Sequence, residues 1–261
     1  MPASTYPRLA GFRSGEKGTH TSRTMMLAEL EAILAATPEN GKKEDFASAA
    51  LEQNALGKQT AATRKLSLQR LTELYALDPE LALFRVLRRL WGQDVTGRPL
   101  LALLCSLARD PLLRASAVPV LATRPGEELS RQAMTDAIRT ETKDRLKGST
   151  LDKVVRNVSA SWNQSGHLEG RVRKFRRQVR ATPGALTYAL MLGFLQGLRG
   201  ASLLESEWTR VLDAGPAELR ELALTAKRLG FLDIKSAGEI IEIGFSSLLT
   251  TTEIKNSRVT H

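Results

Sequence analysis

Cysteine, histidine and aromatic residues are scarce in this chain: one, three and 5% of 261 residues. A single cysteine excludes an internal disulfide. Cys105, set in the apolar run LLALLCSLA, reads as a small buried hydrophobe rather than a nucleophile, which would need a positioned base. His20, His167 and His261 stand far apart, so no metal-ligand spacing occurs, and His167 reads as a turn residue. Phosphate-binding and nucleophile motifs are missing too. There is no GxGxxG and no GxSxG, and KGST at 147–150 has no GxxxxGK ahead of it, so it reads as a turn and helix cap. The longest apolar runs, PLLALLCSLA and YALMLGFLQGL, fall short of the ~20 residues that span a bilayer, and MPASTYPRLAGFRSGEKG at the start has no apolar signal core. These absences predict a cytoplasmic, non-enzymatic protein with no cofactor, metal or membrane segment.

Positive charge, by contrast, is abundant. Lys and Arg number 38 against 28 Asp and Glu, a net charge of +10, in an otherwise ordinary soluble composition with 42% hydrophobic residues. The length suits one or two domains with a substantial core. A field of this sign favours polyanions, nucleic acid ahead of anionic membrane.

Periodicity predicts a mainly α, multi-helical fold. Residues 1–22 read as an irregular lead-in, and helices follow in TMMLAELEAILAATP, EDFASAALEQN and AATRKLSLQRLTELYAL. Three short helices, PELALFRVLRRLW, GRPLLALLCSLAR and PLLRASAVPVLA, form the most apolar part, which reads as packed core. Composition shifts at TRPGEELS, which divides the chain into an expected N-terminal helical domain, 1–124, and a helix-turn-helix or winged-helix-like region, 125–261. There Ser130 can cap RQAMTDAIRTETKDRL, Gly148 breaks the chain, and Ser149 or Thr150 can cap a second helix. In that helix Leu151, Val154, Val155, Val158 and Trp162 mark the buried face. Later come the helices TPGALTYALMLGFLQGLRG, LLESEWTRVLD and AELRELALTAKRLG. The alternation in FLDIKSAGEIIEIGF then predicts a short C-terminal β-hairpin, and the tail from Leu249 reads as polar and frayed.

The charge is concentrated. Between Arg139 and Arg180 twelve basic residues face four acidic ones, +8 of the chain's +10. A compact basic patch is what duplex binding requires, because each neutralised phosphate releases counterions. With the apolar stripe turned inward, Lys147, Ser149, Thr150, Lys153, Arg156 and Asn157 are candidates for the outer side of a recognition helix, with Ser161 and Gln164 beside them. Arg171, Arg173, Lys174, Arg176, Arg177 and Arg180 then follow the DNA backbone, either as a helix carried by Val172, Phe175 and Val179 or as a short wing strand. The second helix-turn-helix, 203–245, is less basic and reads as a packing or docking module.

The segments NALGKQTAATRKLSLQRLTELYAL at 54–77, LLALLCSLARDPLLRASAVPVL at 100–121 and STLDKVVRNVSASWNQSGHLEGR at 149–171 resemble the BrxA proteins of bacterial BREX phage-defence systems. The resemblance implies an all-helical protein that binds double-stranded DNA without catalysis, as an accessory of a defence assembly whose other proteins are possible partners. It also makes Arg64, Lys65 and Arg70 secondary candidates for backbone contact. Two other functions use the same features: a winged-helix transcriptional repressor, and a scaffold whose basic face docks an acidic protein.

Overall fold

The structure, a computed structural model, describes residues 10–15, 18–237 and 240–257. It is mainly helical with two small antiparallel strand pairs. The helices in order are α1 (Leu27–Ala35), α2 (Lys43–Leu51), α3 (Ala61–Tyr75), α4 (Ala82–Gln93), α5 (Arg98–Arg109) and α6 (Pro111–Ala122). Then come α7 (Arg131–Thr142), α8 (Gly148–Gln164), β1 (Leu168–Glu169), β2 (Phe175–Arg176) and α9 (Pro183–Leu195). The chain continues with α10 (Ala201–Leu204), α11 (Glu207–Arg210), α12 (Pro216–Arg228), β3 (Asp233–Ala237), β4 (Ile240–Gly244) and α13 (Thr251–Asn256).

Two helices that are apolar on every side occupy the centre. All of Leu100–Arg109 in α5 and Gly184–Leu195 in α9 are buried, and the two pack on each other and on α4. One continuous core runs from Ala10 to Leu249 and so crosses residue 124. Asp94 after α4 reinforces the join, accepting from Thr182 Oγ1 at 2.5 Å and from the backbone of Gly184 at 2.9 Å at the start of α9. Cys105 lies in this core, where burial pushes its thiol up to about 11.

Three expectations need correction. The lead-in is not merely irregular. A 3₁₀ turn, Thr19–Thr21, is packed against α6 and α8, and His20 is wholly buried. LLESEWTRVLD forms two short helical turns, α10 and α11, because Ser206 stops one and caps the next by accepting from the backbone of Thr209. The tail is ordered through Asn256: Thr250 and Glu253 make a reciprocal capping box on α13, and Glu253 pairs with Arg85 at 2.6 Å. Residues 258–261, the last of the expected frayed tail, lie outside the described residues.

The second half contains two helical units, each ending in a pair of antiparallel strands. In the first unit α6 is followed by an extended segment, 126–129, then α7, α8, β1 and β2. The backbone of Gly126 donates to Arg176, Arg176 to Glu127 and Leu129 to Lys174, while β1 pairs antiparallel on the other side of β2. With an isolated bridge between Glu128 and Phe175 on one side of β2 and β1 on the other, the unit is winged-helix-like, and the loop 170–174 stands in the position of a wing. Residues 171–180 are thus wing and strand rather than helix. In the second unit α9, the short turns α10 and α11, and α12 lead to the β3–β4 hairpin, with no strand between the helices among the described residues.

Candidate nucleic-acid interface

Helix α8 is the structural centre of the first unit. Leu151, Val154, Val155, Val158 and Trp162 are all buried, as their spacing predicts, and Trp162 Nε1 donates to Ser116 Oγ of α6 at 2.7 Å. Ser130 caps α7 by accepting from the backbone of Ala133. Neither Ser149 nor Thr150 caps α8; the helix begins two or three residues earlier, with Lys147 at the N-cap and no side-chain cap. Residues Ser149, Lys153 and Arg156, spaced by four and three, are exposed in a row, Thr150 is exposed beside them, and Ala160 and Asn163 continue that row to the wing.

The polar side chains near the end of α8 turn the other way. Asn157 Nδ2 donates to the carbonyl of His20 at 2.8 Å, Ser161 Oγ accepts from the backbone of Met25 at 2.8 Å, and Gln164 Oε1 accepts from the backbone of Leu27 at 3.2 Å. His20 completes the contact, its Nε2 2.8 Å from Ser161 Oγ and its Nδ1 3.0 Å from Asp110 Oδ2. Burial raises the Asp110 carboxyl pKa, but His20 and the backbone N–H groups of Leu113 and His20 outweigh it and hold the group below its ordinary value. Asn157, Ser161 and Gln164 therefore fasten the lead-in across α8 and do not face outward.

The basic stretch separates in the same manner. Arg176 is only 2% exposed and is a structural residue: its guanidinium donates to the carbonyls of Val120, His167 and Arg177 and pairs with Asp213 at 2.5 Å. Asp213 also accepts from the backbone of Val179 at 3.1 Å. Beside it His167 is buried, with Nδ1 2.8 Å from Ser165 Oγ and Nε2 2.7 Å from the Val211 carbonyl. Burial pushes this imidazole down to about 4, so at neutral pH it is uncharged and Nε2–H donates to Val211.

Arg173 pairs with Glu128, whose carboxyl it holds below the usual range, and lies 5.2 Å over the Phe175 ring. Arg177 stands 3.5 Å from Glu169. Lys174 Nζ donates to the Gly170 carbonyl at 2.6 Å, and partial burial lowers its pKa. Among the described residues Lys147, Lys153, Arg156, Arg171 and Arg180 have no hydrogen bond or ion pair for their charged groups and are exposed. Lys143, in the turn before α8, shares that state, and Arg131 on α7 pairs with Asp152 at 2.7 Å.

A groove of about 630 Å³ separates α8 and the start of α7 from the wing, lined by Arg131, Arg156, Arg171, Val172 and Lys174 among others. Of the secondary candidates, only Lys65 is exposed. Arg64 donates to the Leu51 carbonyl at 2.8 Å and Arg70 pairs with Glu73 at 2.8 Å, so both serve the packing of α3.

Among the described residues no helix is long and apolar enough to cross a membrane, and no group of three or more His, Cys, Asp or Glu could hold a metal ion. Comparison with protein-family models, curated proteins and solved structures gave no match to the chain.

Proposed function

We propose that this chain is a non-catalytic double-stranded DNA-binding protein that sets α8 in the major groove, acting as an accessory of a BREX-type phage-defence system. The observation that carries the DNA reading is the set of unpaired, exposed cations on a winged-helix frame: Lys147, Lys153 and Arg156 along α8 and Arg171 on the wing. Cations already held by carboxylates gain less from phosphate, because they must first give up a partner. Unpaired ones contribute counterion release in full. Lys147 stands where the open N–H groups of α8 add to its charge. The defence context rests on the BrxA resemblance alone.

Binding to unrelated duplexes, followed by fluorescence anisotropy, should show similar affinities. With four phosphates neutralised, log K should fall with log salt at a slope of about −4. Changing Lys153, Arg156 and Arg171 together to Glu should weaken binding more than a hundredfold without loss of folding, since none of the three has an intramolecular partner. Arg176 does not belong in such a test, because its loss would strand Asp213. A wild-type chain that binds no duplex at low salt would overturn the proposal, and one strongly preferred operator would favour the repressor. The second unit supports a different role. Helix α12 exposes Glu218, Arg220, Glu221 and Arg228 around Leu224, which is 45% exposed, a mixed face suited to another protein of the assembly.

A further inference from the structure

The second unit leaves open a sheet edge of the kind that the first unit covers. In the first unit β2 has a neighbour on each side, β1 on one and the extended segment 126–129 on the other. In the second, β4 pairs with β3, and no strand among the described residues lies along its other edge. The outer edge of β3 is guarded, since Lys227 Nζ donates to the Ile234 carbonyl at 3.0 Å.

Geometry decides which groups the open edge presents. The Ile234 carbonyl faces Lys227, away from β4, and the Ile241 carbonyl faces Gly200 on the opposite side of the hairpin. Gly200 has φ +57°, and a Cβ there would come within 3.1 Å of that oxygen, so glycine keeps the carbonyl clear. Antiparallel pairs alternate, so Asp233 with Gly244 and Lys235 with Glu242 make the ladder bonds, and Ile241 and Ile243 turn their N–H and C=O groups outward. Neither has another backbone partner among the described residues. The edge borders a groove of about 540 Å³ walled by Phe194, Phe245 and Ile254. Arg199 is held in the wall, 3.8 Å over the Phe194 ring and donating to the carbonyls of Phe194 and Ser257. Glu242 stands exposed at the rim, with no ion pair or hydrogen bond among the described residues.

We propose that the open edge of β4 takes an extended segment of another protein as a third strand, with apolar side chains at alternate positions in the groove and a lysine or arginine opposite Glu242; this goes beyond the DNA reading and does not rest on it. Main-chain hydrogen bonds to Ile241 and Ile243 hold such a segment, and its alternate side chains give selectivity. Residues 126–129 fill the outer edge of β2 in that way within the first unit. A second copy of this chain fits poorly. Antiparallel β4–β4 pairing through Ile241 and Ile243 sets Glu242 against Glu242, and like charges directly opposite are destabilising. A basic residue reverses the sign of that contact.

The probe is an end-blocked heptapeptide with valine at alternate positions, threonines between them and lysine at the centre; its control carries glutamate at the centre. In titration calorimetry with the full chain the lysine peptide should bind about fivefold more tightly than the glutamate peptide. At millimolar concentration it should slow amide hydrogen exchange at Ile241 and Ile243. N-methylation of the two valines that flank the lysine, whose N–H groups would meet β4, should abolish binding. Glu242→Lys, an exposed position with no partner to lose, should reverse the preference between the two peptides. Equal affinity for both peptides, or exchange at Ile241 and Ile243 unmoved by either, would overturn the proposal. Slow exchange at these amides without peptide, in a chain that sediments as a dimer, would give the edge to a second copy and overturn it as well. Each of these results leaves the DNA reading standing.

Discussion

The two winged-helix-like units each run from helices into a pair of antiparallel strands, and they present different surfaces. In the first, the exposed row of α8 is Ser149, Lys153 and Arg156, ending at a wing with an unpaired arginine. In the second, the equivalent helix α12 mixes both charges around an exposed leucine, and Lys227 is turned onto the Ile234 carbonyl at 3.0 Å. The charge left over after internal pairing is what distinguishes the surfaces. The units also share a joint, since Arg176 and His167 of the first are held by Asp213 and Val211, which precede α12.

The most severe way to disturb this comparison is to cut the joint. Asp213→Ala leaves the Arg176 guanidinium buried without its carboxylate and should cost about 3–5 kcal/mol in urea-unfolding stability. The joint also titrates. His167 has its pKa depressed by burial from 6.5 to about 4, so between those values the unfolded chain binds a proton that the folded chain does not. Stability contributed by His167 is therefore full above pH 6.5 and falls as pH drops toward 4, by about 3 kcal/mol. In His167→Gln the slope of stability against pH over this window should shrink accordingly.

Charge reversal sharpens the contrast between the surfaces. Lys153, Arg156 and Arg171 changed together to Glu should weaken duplex binding more than a hundredfold, about 3 kcal/mol. The same change at Arg220, Lys227 and Arg228 should leave it within about twofold, which electrophoretic shift or anisotropy would show. An equal loss from both would mean that both units touch DNA. Smallest is the effect of capping. Ser130→Ala should cost about 1 kcal/mol by removing the α7 cap. Lys147→Ser, which offers α8 a cap it lacks, should stabilise the fold slightly while lowering DNA affinity, because one residue cannot be both cap and cation.

Much of this was legible in the residues. The apolar stripe of α8, the Ser130 cap, the alternation that made β3 and β4 and the all-round apolar character of α5 follow from local period and chemistry. What failed was the reading of polar residues by elimination. Asn157, Ser161 and Gln164 lay off the apolar stripe and so were assigned to the outside, but their partners are backbone groups of residues 20–27, polar surface that no hydrophobic period reveals. Arg176 was read as a DNA-backbone contact because its partner, Asp213, is 37 positions away. Alternation about Phe175 was the available clue, since in a strand flanked on both sides a charged side chain can face inward if a carboxylate and carbonyls meet it. Gly170 and Asn163, which fix the wing, carry no charge signal and emerge only from backbone geometry.

The strap across α8 has a kinetic meaning as well. Asn157, Ser161 and Gln164 reach partners 136 to 141 positions earlier in the chain. Contacts of such separation close late, after the intervening helices have collapsed. On the ribosome the lead-in must wait, with its polar groups hydrated, until α8 has emerged.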